Sequence, residues 1–175
     1  MKPLTTLTAL SLAGVCLSSA QAQTFYPLAT DYYAEAGLVA MELKDNGQSY
    51  NPNSMRLIAG KTLNRNLSLE GMYAFTINSD NQPNFDAKST HYGIALKPYI
   101  SINENTEVFA RAGYGRSHVT ASASGEKSLS DWYYAIGVQT KFTPDIYGQL
   151  DYTNFVNKDG AWAQGIGFSV GMRFY

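Results

Sequence analysis

Histidine, serine and acid side chains come together in one short part of this sequence. His91 and His118 stand near Ser117, Ser130 and Asp131. A serine hydroxyl beside a histidine base, with an acid orienting the ring, would be an acyl-transfer centre. The spacing does not assemble one. There is no G-x-S-x-G turn, no metal-ligand spacing and no matched serine, histidine and acid pattern. Histidines at loop tops are ordinarily solvated, so the sequence points to no catalytic residue, no metal and no cofactor. A second set is more extensive. Glu35, Arg56, Glu70, Lys97, Arg111, Lys141, Asp151 and Arg173 carry both signs and recur about once per candidate strand. On the inner face of a closed sheet, opposite charges can pair and act as a structural plug, because an eight-strand barrel is just wide enough for side chains. Unpaired, they would be costly there. The competing chemistry is a gated narrow path for water or ions.

The elements that must position these residues have a period of two. Within 90–116, Tyr92, Ile94, Leu96 and Ile100 alternate with His91, Gly93, Ala95, Lys97 and Tyr99. After the polar turn Asn103-Glu104-Asn105, Val108, Ala110, Ala112 and Tyr114 alternate with Glu107, Phe109, Arg111, Gly113 and Gly115. That is strand periodicity, with one apolar face and one of glycine and charge. The same unit recurs at 32–43, 54–63, 67–77, 131–142, 146–156 and 162–175, which with the two strands of 90–116 makes eight. The connectors 44–53, 78–89, 117–130 and 157–161 read as polar loops, whereas 64–66, 103–105 and 143–145 are tight turns. Such alternation of long and short connections is expected of a transmembrane barrel with short periplasmic turns and longer outer loops.

Composition narrows the class. The 175 residues leave room for one domain, and thirteen basic against fourteen acidic residues give no nucleic-acid signal. Residues 1–22 read as a cleavable signal peptide: Lys2, an apolar stretch over 4–17, then Ala20-Gln21-Ala22 as the cleavage pattern. The domain expected to remain is 23–175. Cys16, the only cysteine, lies in the leader, so a disulfide or thiolate site is not expected in the domain. No segment approaches the ~18 apolar residues of a membrane helix. A barrel is the one spanning structure that reads this polar.

Alternation does not say which face looks inward. An inward apolar face would make a soluble lipocalin-like carrier. Two features favour an outward one. Glycines 37, 60, 93, 113, 115 and 137 share the charged face, where exposure would only weaken the strands. Aromatics also sit near the ends of the apolar face, at Tyr32, Tyr73, Phe75, Tyr92, Tyr114, Trp132 and Tyr152, as in membrane-interface girdles.

The runs SMRLIAGKTLNRNLSLEGMYAF, GIALKPYISINENTEVFARAGYG and GIGFSVGMRFY resemble the outer-membrane β-barrel domain of small Gram-negative porin-family proteins, the OmpA/OmpX-like barrels. The resemblance covers essentially all of 23–175. It implies an all-β, eight-stranded, antiparallel, up-and-down transmembrane barrel in the cell outer membrane, preceded by a cleavable signal peptide. It also implies a terminal signal read by the barrel-assembly machinery. Phe168, Val170, Met172 and Phe174 keep the alternation for it, and Tyr175 is one residue extra. Pro98 departs from the pattern, and its place near a short turn points to a bulge or a frayed end. The expected role is non-catalytic: a monomer in outer-membrane lipid, holding loops that an extracellular ligand could bind. A narrow pore and the soluble carrier are the alternatives.

Overall fold

The computed structural model describes residues 31–45, 48–78, 87–121, 125–158 and 161–174. Residues 1–22, read from the sequence as a leader, and Tyr175 lie outside them. The alternating sequence produces strands throughout: β1 (Tyr32–Asp45), β2 (Gln48–Tyr50), β3 (Asn53–Asn64), β4 (Leu67–Asn78), β5 (Ala87–Ser101), β6 (Thr106–Ala121), β7 (Gly125–Lys141), β8 (Ile146–Lys158) and β9 (Ala161–Phe174). All pairings are antiparallel between successive long strands, and β1 pairs with β9 from Tyr32↔Phe174 to Lys44↔Trp162. The sheet is thereby closed into an eight-stranded barrel without an exposed edge. The short β2 pairs only with the end of β1 and forms a lip on the first outer connection.

Hydrogen-bonded rows climb the wall because barrel strands are tilted. One row starts at Ala34, near the end that holds the short turns, and passes Ala59, Gly71, Ile94 and Tyr114 to reach Trp132. The outer surface is apolar along its height, with Leu38, Ile94, Trp132 and Ile166 each more than half exposed. Glu35, Arg56, Glu70 and Arg111 are meanwhile no more than 3% exposed on the inner side. Apolar outside and polar inside is the inversion that lipid solvent requires, and it removes the soluble-carrier reading.

Several sequence expectations are corrected. Residues 117–130 are not a long loop, because β6 and β7 stay paired out to Ala121↔Gly125. The segment's small hydroxylic and β-branched residues extend the hairpin instead. The connectors 44–53, 78–89 and 157–161 are shortened in the same way, by β2, by β4 reaching Asn78 with β5 starting at Ala87, and by pairing out to Lys158↔Ala161. Pro98 produces no bulge: both ladders of β5 keep one register, and only the pairing with β6 between Leu96↔Ala112 and Tyr99↔Phe109 is interrupted. His91 is not a solvated loop-top residue but is 4% exposed inside the barrel.

The interior is tight enough that two glycines are steric requirements. A Cβ on Gly93 would lie 2.8 Å from the Tyr133 ring, and one on Gly113 2.6 Å from it. Both distances are closer than real side chains tolerate, so these glycines leave room for a ring that fills the lumen. Gly113→Val is therefore expected to destabilise the barrel by about 1–3 kcal/mol through overpacking. The check is a lower urea midpoint for the protein folded in lipid vesicles. An unchanged midpoint would show that Tyr133 moves aside freely.

Candidate functional site

The chemistry-bearing side chains converge in the lumen, where alternate positions of all eight wall strands point. Lys97 on β5 stands at the hub. Its Nζ donates to Gln139 and Gln149 at 3.0 Å and lies 3.3 Å from both Glu35 and Glu70. Arg111 on β6 pairs with Glu70 through Nε and, at 3.3 Å, through Nη2. Tyr33 donates its hydroxyl to Glu70 and Tyr147 to Glu35, each at 2.8 Å. The ring of Phe109 lies against both cations, 4.6 Å from Lys97 and 5.2 Å from Arg111. Each charge here thus has an opposite charge or a dipole against it, which burial requires.

A second pair closes the middle of the barrel. Arg56 on β3 meets Asp151 on β8 with two parallel hydrogen bonds, at 2.8 and 2.5 Å, the bidentate geometry that suits a guanidinium and a carboxylate. Thr153 donates to Asp151 at 2.6 Å, and Arg56 donates to Ser169 at 2.9 Å. At the mouth nearest the short turns, Glu107 holds Lys141 and Arg173, each at 3.3 Å. The three groups form one network through two amides. Gln149 accepts from Lys97 and donates to Asp151 at 3.1 Å, and Gln139 accepts from Lys97 and donates to Glu107 at 2.8 Å.

All eight charged residues singled out in the sequence therefore face the interior, and ion pairs join them. Lys141 and Arg173 sit at the half-open mouth and the other six are buried. Glu107 completes the set and is absent from that group of eight. The alternation places it on the charged face, but no spacing rule marks it as the partner of two distant cations. Tyr33, Tyr147, Gln139 and Gln149 were equally readable as inward positions and carry no charge to single them out.

Above the ion pairs the lumen changes character. Val39, Met41, Leu43, Phe155, Val156 and Ala163 are buried together at the end remote from the short turns. The β8–β9 ladder slips between Asn154 and Val156, so Phe155 and Val156, adjacent in sequence, are both buried there. Among the described residues, the cavity at this end is about 10 Å³ and that at the charged mouth about 20 Å³. Neither holds more than a single water.

Of the hydrolase-like residues only His91 and Ser117 meet. His91 Nδ1 lies 2.8 Å from Ser117 Oγ, but its ring is boxed by the edges of Tyr133 and Phe155, and Nε2 has no hydrogen-bond partner. His118 is on the opposite face of the wall, stacked on Tyr92 at 6.1 Å. Asp131 caps backbone N–H groups of Trp132 and Asn157. Phe168, Val170, Met172 and Phe174, the residues expected to carry a terminal signal, all project outward from β9 and are 46–56% exposed.

The Arg56–Asp151 pair makes a sharp prediction. Arg56→Met leaves a buried carboxylate without its cation and is expected to cost about 3–5 kcal/mol. Adding Asp151→Leu should restore most of the loss, as read from urea midpoints in a double-mutant cycle. Additive losses would mean that the two side chains stabilise the barrel independently.

Comparison with known proteins places this architecture. The family model for the outer membrane protein beta-barrel domain matches residues 7–174. A search of curated protein sequences found no match. Among solved structures, Ail, the attachment invasion locus protein of Yersinia pestis, in complex with the heparin analogue sucrose octasulfate, aligns with a TM-score of 0.65 and 19% identity over 84% of this chain and 100% of its own. Neisserial surface protein A gives 0.66 and 17% identity over 82% and 97%. The N-terminal barrel of Pseudomonas aeruginosa OprF gives 0.60 and 14% identity over the same shares. At such identities these structures are similar in fold alone. The family match spans nearly the entire chain, and with the closed, lipid-facing barrel it establishes that this protein belongs to the outer membrane protein beta-barrel domain family and resides in the outer membrane.

Proposed function

We propose that this protein is a non-catalytic, non-conducting outer-membrane barrel that presents its outer hairpins to the cell's surroundings. The observation that carries the reading is the two-layer lumen: an ion-paired layer at the end with the short turns, and a tightly packed apolar layer at the other. An ion crossing it would have to separate buried pairs and then pass a constriction packed with Met41, Leu43 and Phe155, where the polar side chains Ser54, His91 and Ser117 are already engaged with Met41 or with each other. The charges act as a structural plug. His91, which lacks an acid partner and is enclosed by rings, supports the absence of acyl-transfer chemistry.

Function then falls to the hairpins, since loops on a rigid scaffold commonly bind partners. Ail, a protein of similar fold, binds a sulfated sugar analogue, which makes a surface ligand a natural expectation for the connections after β4, β6 and β8. The rest of the reading concerns biogenesis. Residues 1–22 direct export and are removed. The alternation Phe168, Val170, Met172, Phe174, with Tyr175 beyond it, is the signal taken by the barrel-assembly machinery. The mature barrel works as a monomer in outer-membrane lipid.

Purified protein in planar bilayers is expected to give no current steps above the bare-membrane baseline. Replacing the β6–β7 hairpin apex with a short glycine turn should change surface binding while leaving the unheated, SDS-resistant gel band unchanged. Stepwise conductance altered by Lys97→Met or Arg111→Met would replace this reading with the narrow pore.

A further inference from the structure

The outer surface of the barrel has one feature that neither lipid tails nor loop display requires. On β6, outward positions run Ala112, Tyr114, Arg116, His118. Tyr114 packs edge-on against Trp132 of β7 at 5.7 Å, and Tyr92 of β5 is cross-strand from Arg116. These three rings form an outer aromatic girdle on this side of the wall. Arg116, opposite Tyr92, His118, opposite Thr90, and Lys88, opposite Thr120, follow in turn beyond it on these adjacent strands. Arg116 and Lys88 are exposed. Arg116 Nε donates to Ser128 Oγ at 3.0 Å, which turns the guanidinium away from the girdle and leaves both Nη groups without partners among the described residues. His118 is held flat by its stack on Tyr92. No described carboxylate lies within ion-pair distance of these three.

Two contrasts show that this cluster is not a general property of the surface. The chain carries a net charge of −1, so unpaired basic residues are not expected to gather on one side by composition alone. Across the barrel, Lys44 on β1 also rises beyond the apolar band, but it is matched by Glu42 at 3.5 Å and lies over the Trp162 ring at 4.8 Å. The height also fits. A strand advances ~3.3 Å per residue and, at a tilt near 40°, climbs roughly 2.5 Å. Arg116 and His118 therefore stand roughly 5 and 10 Å above Tyr114, past the hydrocarbon edge that the girdle marks and level with lipid head groups.

We propose that Lys88, Arg116 and His118 form a binding site for the phosphorylated head group of a lipid in the outer leaflet, whose acyl chains lie on the girdle side of the same strands. The guanidinium nitrogens, without partners among the described residues, supply the forked donors that a phosphate accepts best, Lys88 adds a point charge, and the imidazole contributes a ring N–H. The girdle rings Tyr92, Tyr114 and Trp132 anchor the interfacial part of the lipid. The lipid thereby ties one side of the barrel to the membrane and leaves the opposite wall, where Lys44 is already neutralised, free of it.

The test uses the mature full-length protein folded in uncharged detergent, in a Trp162→Phe background so that Trp132 is the only reporting indole. It is titrated with bisphosphorylated lipid A, with the same lipid stripped of its phosphates, and with inorganic phosphate. The bisphosphorylated lipid should bind roughly tenfold more tightly than the stripped one. Lys88→Ala with Arg116→Ala should abolish that preference, Arg116→Gln alone should reduce it, and Lys44→Ala should leave it intact. Raising the salt concentration should weaken the preference in the parent protein but not in the double variant. An SDS gel of unheated samples verifies that each variant is folded. Equal binding of the two lipids, or a full preference in the double variant or in Arg116→Gln, would overturn the proposal. Inorganic phosphate saturating the site at the same concentration as the lipid would also overturn it, by making this a site for free anions.

Discussion

An eight-stranded barrel leaves no room for a fluid interior, and every property described above follows from how that narrow space is filled. The lumen admits side chains and little else, so each buried charge has to find its partner among the other walls. Lys97 solves the problem at the centre, touching Glu35 and Glu70 directly and reaching Asp151 and Glu107 through Gln149 and Gln139. The glutamines matter because a carboxamide both accepts and donates. Each accepts from the ammonium and donates to a carboxylate, so separate ion pairs become one connected structure. Joining strands that lie far apart in sequence, such as β3 with β8 through Arg56 and Asp151, holds the closed register from within.

Much of the architecture is legible in the sequence because a barrel in lipid has no competing signal. A period of two carried through eight segments determines the strand count, and the glycines of the charged face with the aromatics at the ends of the apolar one select the face that meets lipid. Strand ends are less legible. In the hairpin of β6 and β7, His118, Thr120 and Ser128 are polar because they rise out of the membrane, not because the chain has left the ladder. Polarity above a membrane marks a change of solvent, and composition does not separate it from a change of backbone.

The interior is legible residue by residue but not as a set. Inward positions can be read by alternation, Val39 and Met41 as readily as Glu35. Convergence depends on tilt and stagger, which bring Glu107 of β6 to Arg173 of β9 and Tyr33 of β1 to Glu70 of β4. The apolar layer escapes a reading that equates the inner face with polarity. Its last members also depend on the β8 slip that buries Phe155 and Val156 side by side, and no strict period of two anticipates that.

The division of the lumen has consequences for the outside. The ion-paired layer occupies the part of the barrel between the mouth with the short turns and the middle, where long-range pairing rigidifies the wall. Toward the outer end, packing of Met41, Leu43, Phe155 and Val156 takes over, and the wall continues outward as paired hairpins instead of breaking into loops. Van der Waals packing has no orientational demand comparable to a bidentate ion pair, so this end constrains the volume of its side chains more than their direction. The arrangement suits the surface role proposed above: the parts that meet the environment can vary while the pairs that close the barrel stay fixed. The same hairpins carry Arg116 and His118 directly off the girdle, so the outer rim is both the region least constrained by the interior and the one best placed to meet whatever the membrane surface presents.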